Sequence, residues 1–155
     1  MEFVPNYDLT LLLGLGFRTA IDDLHKHLAA LGYDDVRPAH GFAFHRLAPD
    51  GATGNELAEF LDITKQAASE MVDYLEQHGY VVRLPHPIDR RGKIVTLTDR
   101  GWSCIRATEA ILSQMEAQWA AIIGAKRMEE LRADLRQLIM AANGGTLPQK
   151  FRPTW

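Results

Sequence analysis

Two short amphipathic stretches separated by only two residues constrain this chain more than any other feature. Thr53 is placed to cap a helix carrying Leu57, Phe60 and Leu61. Thr64 is placed to cap another, with Ala68, Met71, Val72 and Leu75 on one face and Gly79 as its stop. Asp62 and Ile63 alone separate the first helix from the cap of the second. Helices joined that tightly make a helix-turn-helix. Directly after Gly79 the periodicity changes. Tyr80–Leu84 and Lys93–Leu97 are β-rich runs, and Pro85–Gly92 between them reads as the connection of a hairpin longer than a tight turn requires. Helix, turn, helix and hairpin in that order predict a winged helix.

The flanks are helical. Leu9, Leu12, Leu13, Phe17, Ile21, Leu24, Leu28 and Leu31 recur at three- and four-residue intervals, which predicts an amphipathic helix over about Asp8–Leu31 with Gly32 as its stop. Pro38 suits the first turn of a second helix, which runs through Phe42, Phe44 and Leu47 to the break at Ala48-Pro49-Asp50-Gly51. Thr98 is an N-cap with Asp99 in the first turn behind it, and Ile105, Thr108, Leu112, Met115, Trp119 and Ile122 keep helical spacing as far as Gly124. Met128, Leu131, Leu135, Leu138 and Ile139 resume that spacing in a last helix, which Asn143-Gly144-Gly145 ends. The tail Thr146–Trp155 is irregular by pattern but carries Leu147, Phe151 and Trp155 as apolar groups to bury. The expected fold class is thus mainly α with a small β-hairpin wing.

At 155 residues the chain is one domain in length and long enough to build a core without disulfides. We divide it into a winged-helix lobe over about residues 36–101, flanked by helices in 1–35 and 102–155. The net charge of −3 says little, but its distribution says more. Between Val81 and Gly101, Arg83, Arg90, Arg91, Lys93 and Arg100 stand against only Asp89 and Asp99, so the remainder of the chain is acidic. Cys104 is the sole cysteine, which rules out an internal disulfide and a thiolate metal cluster and fits a reducing cytoplasm. The N-terminus shows no signal-peptide pattern, and no apolar run reaches membrane-spanning length.

The second helix of a helix-turn-helix can enter the major groove with its first turns facing base edges. Here those turns present Thr64, Lys65, Gln66, Ser69 and Glu70, with Ala67 and Ala68 small enough for close approach. Gln66 can pair bidentately with adenine, and Lys65 can reach guanine or a phosphate. Arg90, Arg91 and Lys93 crowd the hairpin tip, where phosphate contact or minor-groove insertion needs cations. Ordinary surface helices also have polar first turns, and basic hairpin tips also guard sheet edges. Both features together favour double-stranded DNA.

These residues also resemble a family. Glu56-Leu57-Ala58-Glu59-Phe60-Leu61-Asp62-Ile63-Thr64 is similar to the E-L-A-x-x-L-x-(I/V)-(S/T) segment of the MarR family of bacterial regulators. Leu75-Glu76-Gln77-His78-Gly79-Tyr80-Val81 resembles its L-x-x-x-G-(L/Y)-(V/I). Asp89-Arg90-Arg91, followed by Lys93 to Gly101, resembles its wing signature D-x-R…V-x-L-T-x-x-G. The resemblance implies a six-helix winged-helix protein that dimerises through its N- and C-terminal helices and binds pseudo-palindromic operators. Such a protein usually acts as a repressor released by a small molecule or an oxidant. It also implies that Asp89 braces the wing by pairing with the arginine, while Arg91 approaches the minor groove. One departure is His40, which stands where the family commonly has glutamine.

The family layout implies a ligand pocket between the lobe and the dimerisation helices. Phe17, Ile21, His40, Phe44 and Trp102 are its expected lining here, and a small aromatic or phenolic carboxylate is the expected effector class. No cofactor is expected. Against an enzyme, no histidine follows Cys104, and the chain has neither a phosphate-binding glycine loop nor a G-x-S-x-G elbow. Cys104 sits in the apolar-patterned start of a long helix and reads as a buried structural thiol; the resemblance implies that it is no oxidant sensor, since thiol-sensing relatives place the reactive cysteine in the first helix. Two alternatives keep the fold: a protein-interaction module that has dropped DNA, and a metal-responsive regulator. His25 and His27, or His40 and His45, are spaced poorly for a shared metal on one helix face.

Overall fold

The computed structural model describes residues 7–152, so Trp155 of the tail lies outside the described residues. Among them run α1 (Leu9–Ala30), α2 (Pro38–Leu47), α3 (Gly54–Leu61), α4 (Lys65–Gln77), β1 (Val81–Pro85), β2 (Lys93–Leu97), α5 (Asp99–Ile123) and α6 (Ala125–Ala142). This is a six-helix winged-helix architecture with a two-stranded antiparallel wing.

The caps explain the boundaries. Asp8, Thr53, Thr64 and Thr98 each accept, through a side-chain oxygen, an orphan N–H of the first turn of α1, α3, α4 and α5 respectively. The turn between α3 and α4 is built at Asp62, which adopts the left-handed conformation (φ 52°). Its N–H donates to Glu59 O at 3.2 Å, and Ile63 N–H donates to Ala58 O at 3.0 Å. This pair of reversed bonds closes the helix within two residues and redirects the chain into the Thr64 cap. Aspartate tolerates that backbone better than most side chains, so no glycine is needed.

β1 and β2 pair in register from Val81 opposite Leu97 to Pro85 opposite Lys93. A third segment joins them: Ala52 and Val95 exchange backbone hydrogen bonds of 3.1 and 2.8 Å, which pins the α2–α3 connection to the wing. Gly101 lets the first turn of α5 lie directly on Tyr80, because a Cβ there would collide with the Tyr80 carbonyl oxygen. The core is continuous. It joins Leu57 and Leu61 of α3, Val72 and Leu75 of α4, Tyr80, Val95 of the wing, and Ala43, Phe44 and Leu47 of α2. Leu24 and Leu28 of α1 and Cys104 of α5 complete the same cluster. The first half of α1 and most of α6 carry apolar side chains that this core does not reach.

Candidate nucleic-acid interface

The exposed face of α4 is set by which side of the helix the core takes. Ala68, Val72 and Leu75 are buried, so Lys65, Gln66, Ser69 and Glu70 are left exposed beside the exposed cap residue Thr64. Gln66 Nε2 donates to Glu70 Oε1 at 3.3 Å, a weak link between exposed groups that a base edge could replace. Lys65 has no ion-pair partner among the described residues.

The wing tip is ordered by its own side chains. His86 Nδ1 accepts from the N–H groups of Ile88 (3.1 Å) and Asp89 (3.0 Å). Asp89 Oδ1 accepts from the Arg91 N–H at 3.0 Å, and Asp89 O accepts from the Gly92 N–H at 3.1 Å. Asp89 thus pairs with the arginine through its backbone N–H. The carboxylate is held by a backbone N–H two residues on, an Asx turn, which leaves the guanidinium of Arg91 clear of it.

Of the five cations in Val81–Gly101, two are consumed internally. Arg83, half-buried on β1, donates to Asp73 Oδ1 at 2.7 Å and Glu76 Oε1 at 3.0 Å on α4. It also reaches the Ser69 carbonyl at 3.4 Å, so it clamps the wing to α4. Asp73 and Glu76 sit three residues apart on one helix face, the sequence signal that could have revealed this clamp. Arg100 donates to the Tyr80 hydroxyl at 2.9 Å, lies 4.5 Å from the centre of the Tyr80 ring and pairs with Asp35 at 3.4 Å. Tyr80 in turn donates to Asp35, and Tyr74 donates to the Asp35 carbonyl at 2.6 Å. Burial, more than the neighbouring carboxylate, pushes the Tyr80 phenol well above its usual range, so it remains a donor. Arg90, Arg91 and Lys93 stay exposed and without an ion-pair partner among the described residues.

A cavity of about 400 Å³ opens where α1, α2 and α5 meet. Ile21 and Phe44 of the expected lining face it, together with His25, Phe42, Cys104 and Thr108. Phe17, His40 and Trp102 do not. Phe17 is 39% exposed on the outer half of α1, and Trp102 is half-buried elsewhere on α5. His40 is turned the other way: its Nδ1 accepts the Arg37 N–H at 2.9 Å, and its ring stacks on Tyr74 at 5.0 Å. Burial first, and the nearby Arg37 second, hold its pKa down at about 4. The ring is a neutral helix cap, which is why it cannot serve as the pocket's titratable group. Among the described residues, no three His, Cys, Asp or Glu side chains gather as a metal site would need. Nor, among the described residues, is any helix long and apolar enough to cross a membrane.

Residues 36–92, from the start of α2 to the end of the wing tip, match the MarR family model. The MarR-type fold extends beyond it. MarR of E. coli in its apo form shares 24% identity, 89% of this chain and 99% of its own, with a TM-score of 0.67. The transcriptional repressor CouR, solved bound to a 23-mer DNA duplex, shares 24% identity over 89% of this chain and 99% of its own, with a TM-score of 0.70. A MepR variant of S. aureus, solved bound to an oligodeoxyribonucleotide, shares 21% identity over 88% and 99%, with a TM-score of 0.62. A riboflavin kinase of Thermoplasma acidophilum is 34% identical over 65 residues, 42% of this chain. The chain spans only 28% of that kinase's length.

Proposed function

We propose that this chain is a non-enzymatic, homodimeric transcription regulator of the MarR family that binds pseudo-palindromic operators in the cytoplasm and acts as a repressor released by a small molecule. The observation that carries the reading is the division of charge in the wing. Arg83 and Arg100 are tied into the fold, whereas Arg90, Arg91 and Lys93 are presented at a braced tip without internal partners. Cations left unpaired on a rigid hairpin suit phosphates or a narrow minor groove. Lys65, Gln66, Ser69 and Glu70 supply base-edge and phosphate contacts from α4, and Thr64 keeps its O–H free to donate to a phosphate.

A dimer follows from what the chain leaves uncovered. Leu9, Leu12 and Leu13 on α1, and Leu131, Leu138 and Ile139 on α6, are exposed. A two-fold partner would cover both helices and set two copies of α4 one DNA turn apart. We place effector binding in the cavity between α1, α2 and α5, where occupancy can bias the angle between the lobe and the dimerisation helices.

Binding-site selection from random duplexes, followed by anisotropy titration across salt concentrations, tests the reading. Arg91→Ala should weaken binding to all sequences and lower the salt slope by about 1. Gln66→Ala should instead change the ranking of sequences. An unchanged slope in Arg91→Ala removes the wing from the interface. Salt-insensitive or absent binding by the wild type would favour the protein-interaction alternative.

A further inference from the structure

The irregular tail after α6 does not run free. The Phe151 N–H donates to the Phe60 carbonyl at 2.9 Å, in the last turn of α3. Carbonyls in that turn have no partner within the helix, so the tail supplies a donor that α3 lacks. The Phe151 ring stacks on Phe42 of α2 at 4.2 Å between centres and 14° between planes. Lys150 lies 3.8 Å from Glu59, an exposed pair that adds little. Pro148 and Phe151 consequently form part of the cavity's rim, while Phe151 remains 43% exposed on its other side.

We propose that residues 146–151 are a built-in lid on the cavity between α1, α2 and α5, and that lid and cavity together select an uncharged, ring-bearing ligand. This rests on the reading of that cavity as the effector site. The volume of about 400 Å³ is that of a small-molecule site. Its walls are aromatic and aliphatic, with Phe42, Phe44, Phe60 and Phe151 around one side. Among the described residues, neither lysine nor arginine lines it. A carboxylate inside would lose its hydration and meet no fixed cation. Burial holds the Cys104 thiol protonated, pushed up to about 11, and pushes the half-buried His25 down, so both stand there as neutral groups. His25 and His45 line it as hydrogen-bonding groups for a neutral ligand, and the Thr108 hydroxyl, whose O–H donates to the Cys104 carbonyl at 2.9 Å, can accept from one. The expected aromatic carboxylate is therefore replaced by a neutral aromatic, held under Phe151 by ring contacts.

Two fluorescent probes that share a skeleton test this: neutral N-phenyl-naphthylamine and anionic anilinonaphthalene sulfonate. The neutral amine should bind wild type at least about tenfold more tightly than the sulfonate. Phe151→Ala, and a chain ending at Gly145, should each weaken the amine by about tenfold, the worth of a lost aromatic contact. Phe151→Leu, which restores apolar bulk, should recover part of it. Gly41→Phe controls for location. Gly41 lines the cavity, and no atom lies within 4 Å of where its Cβ would stand, so a side chain can be added there without displacing backbone. That variant should lose the amine. If it retains the amine, the cavity is not the site, and both this proposal and the effector-site reading fall. If Gly41→Phe loses the amine while Phe151→Ala binds it as tightly as wild type or tighter, the lid is overturned and the effector-site reading stands. Equal or tighter binding of the sulfonate overturns the selection for neutral ligands.

Discussion

The winged-helix lobe and the terminal helices are written in the same hydrophobic code, yet they use it differently. In the lobe, Leu57 and Leu61 recur at helical spacing and are fully buried within the chain. On α1, Leu9 and Leu12 recur at similar spacing but stand 64% and 50% exposed. Periodicity fixes which face of a helix is apolar. It does not say whether the surface that covers that face belongs to the same chain. The length of α1 compounds this, since its second half packs Leu24 and Leu28 into the core while its first half projects past it.

The comparison is broken most directly by deleting the same kind of side chain on both sides. Leu57→Ala should lower the unfolding free energy in urea by about 3 kcal/mol, because a filled site inside a single chain becomes a cavity. Leu12→Asp combined with Ile139→Asp should instead halve the sedimenting mass at micromolar concentration while the helical signal of the lobe persists. A clean monomer for the unaltered chain, or loss of the lobe's fold in the aspartate variant, would show that the two regions do not differ in this way.

Acid sharpens the contrast through His40, the buried imidazole of the lobe. The folded pKa of His40, about 4, lies below its ordinary 6.5. Between those values the unfolded chain takes up a proton that the folded chain refuses. This contribution is therefore complete above pH 6.5 and is lost as pH falls towards 4, by at most about 3 kcal/mol. His40→Asn retains an acceptor for the Arg37 N–H and removes the titration. Its stability should vary less over that window in urea titrations, and matching slopes would mean that the ring is already charged in the folded chain.

The smallest effect is expected at Cys104, where α5 passes from one region to the other. The thiolate is the reactive form, and burial keeps this thiol protonated. Cys104→Ala should leave operator affinity unchanged within about 0.5 kcal/mol, and peroxide should not release the wild type from DNA. Release by peroxide in the wild type but not in the variant would make the junction a redox sensor.

Local chemistry makes much of this protein legible in its residues alone. The threonines at 53, 64 and 98 satisfy first-turn N–H groups whatever else surrounds them, so helix starts are readable at short range. The pattern of Ala68, Val72 and Leu75 assigns the buried side of α4, and hence its exposed face, for the same reason. What depends on distant partners is not legible in this way. Arg83 and Arg91 are identical in sequence terms. Only the meeting of β1 with Asp73 and Glu76 turns one into a clamp and leaves the other at the tip without a partner. His40 has the chemistry of a pocket donor, but Arg37 and Tyr74 claim both its edge and its face. Phe151 belongs by pattern to an irregular tail, and only the carbonyl of Phe60 gives its N–H a partner. Caps and periodicity act within a few residues, whereas ion pairs, stacking and cavity walls depend on which elements the tertiary fold brings together.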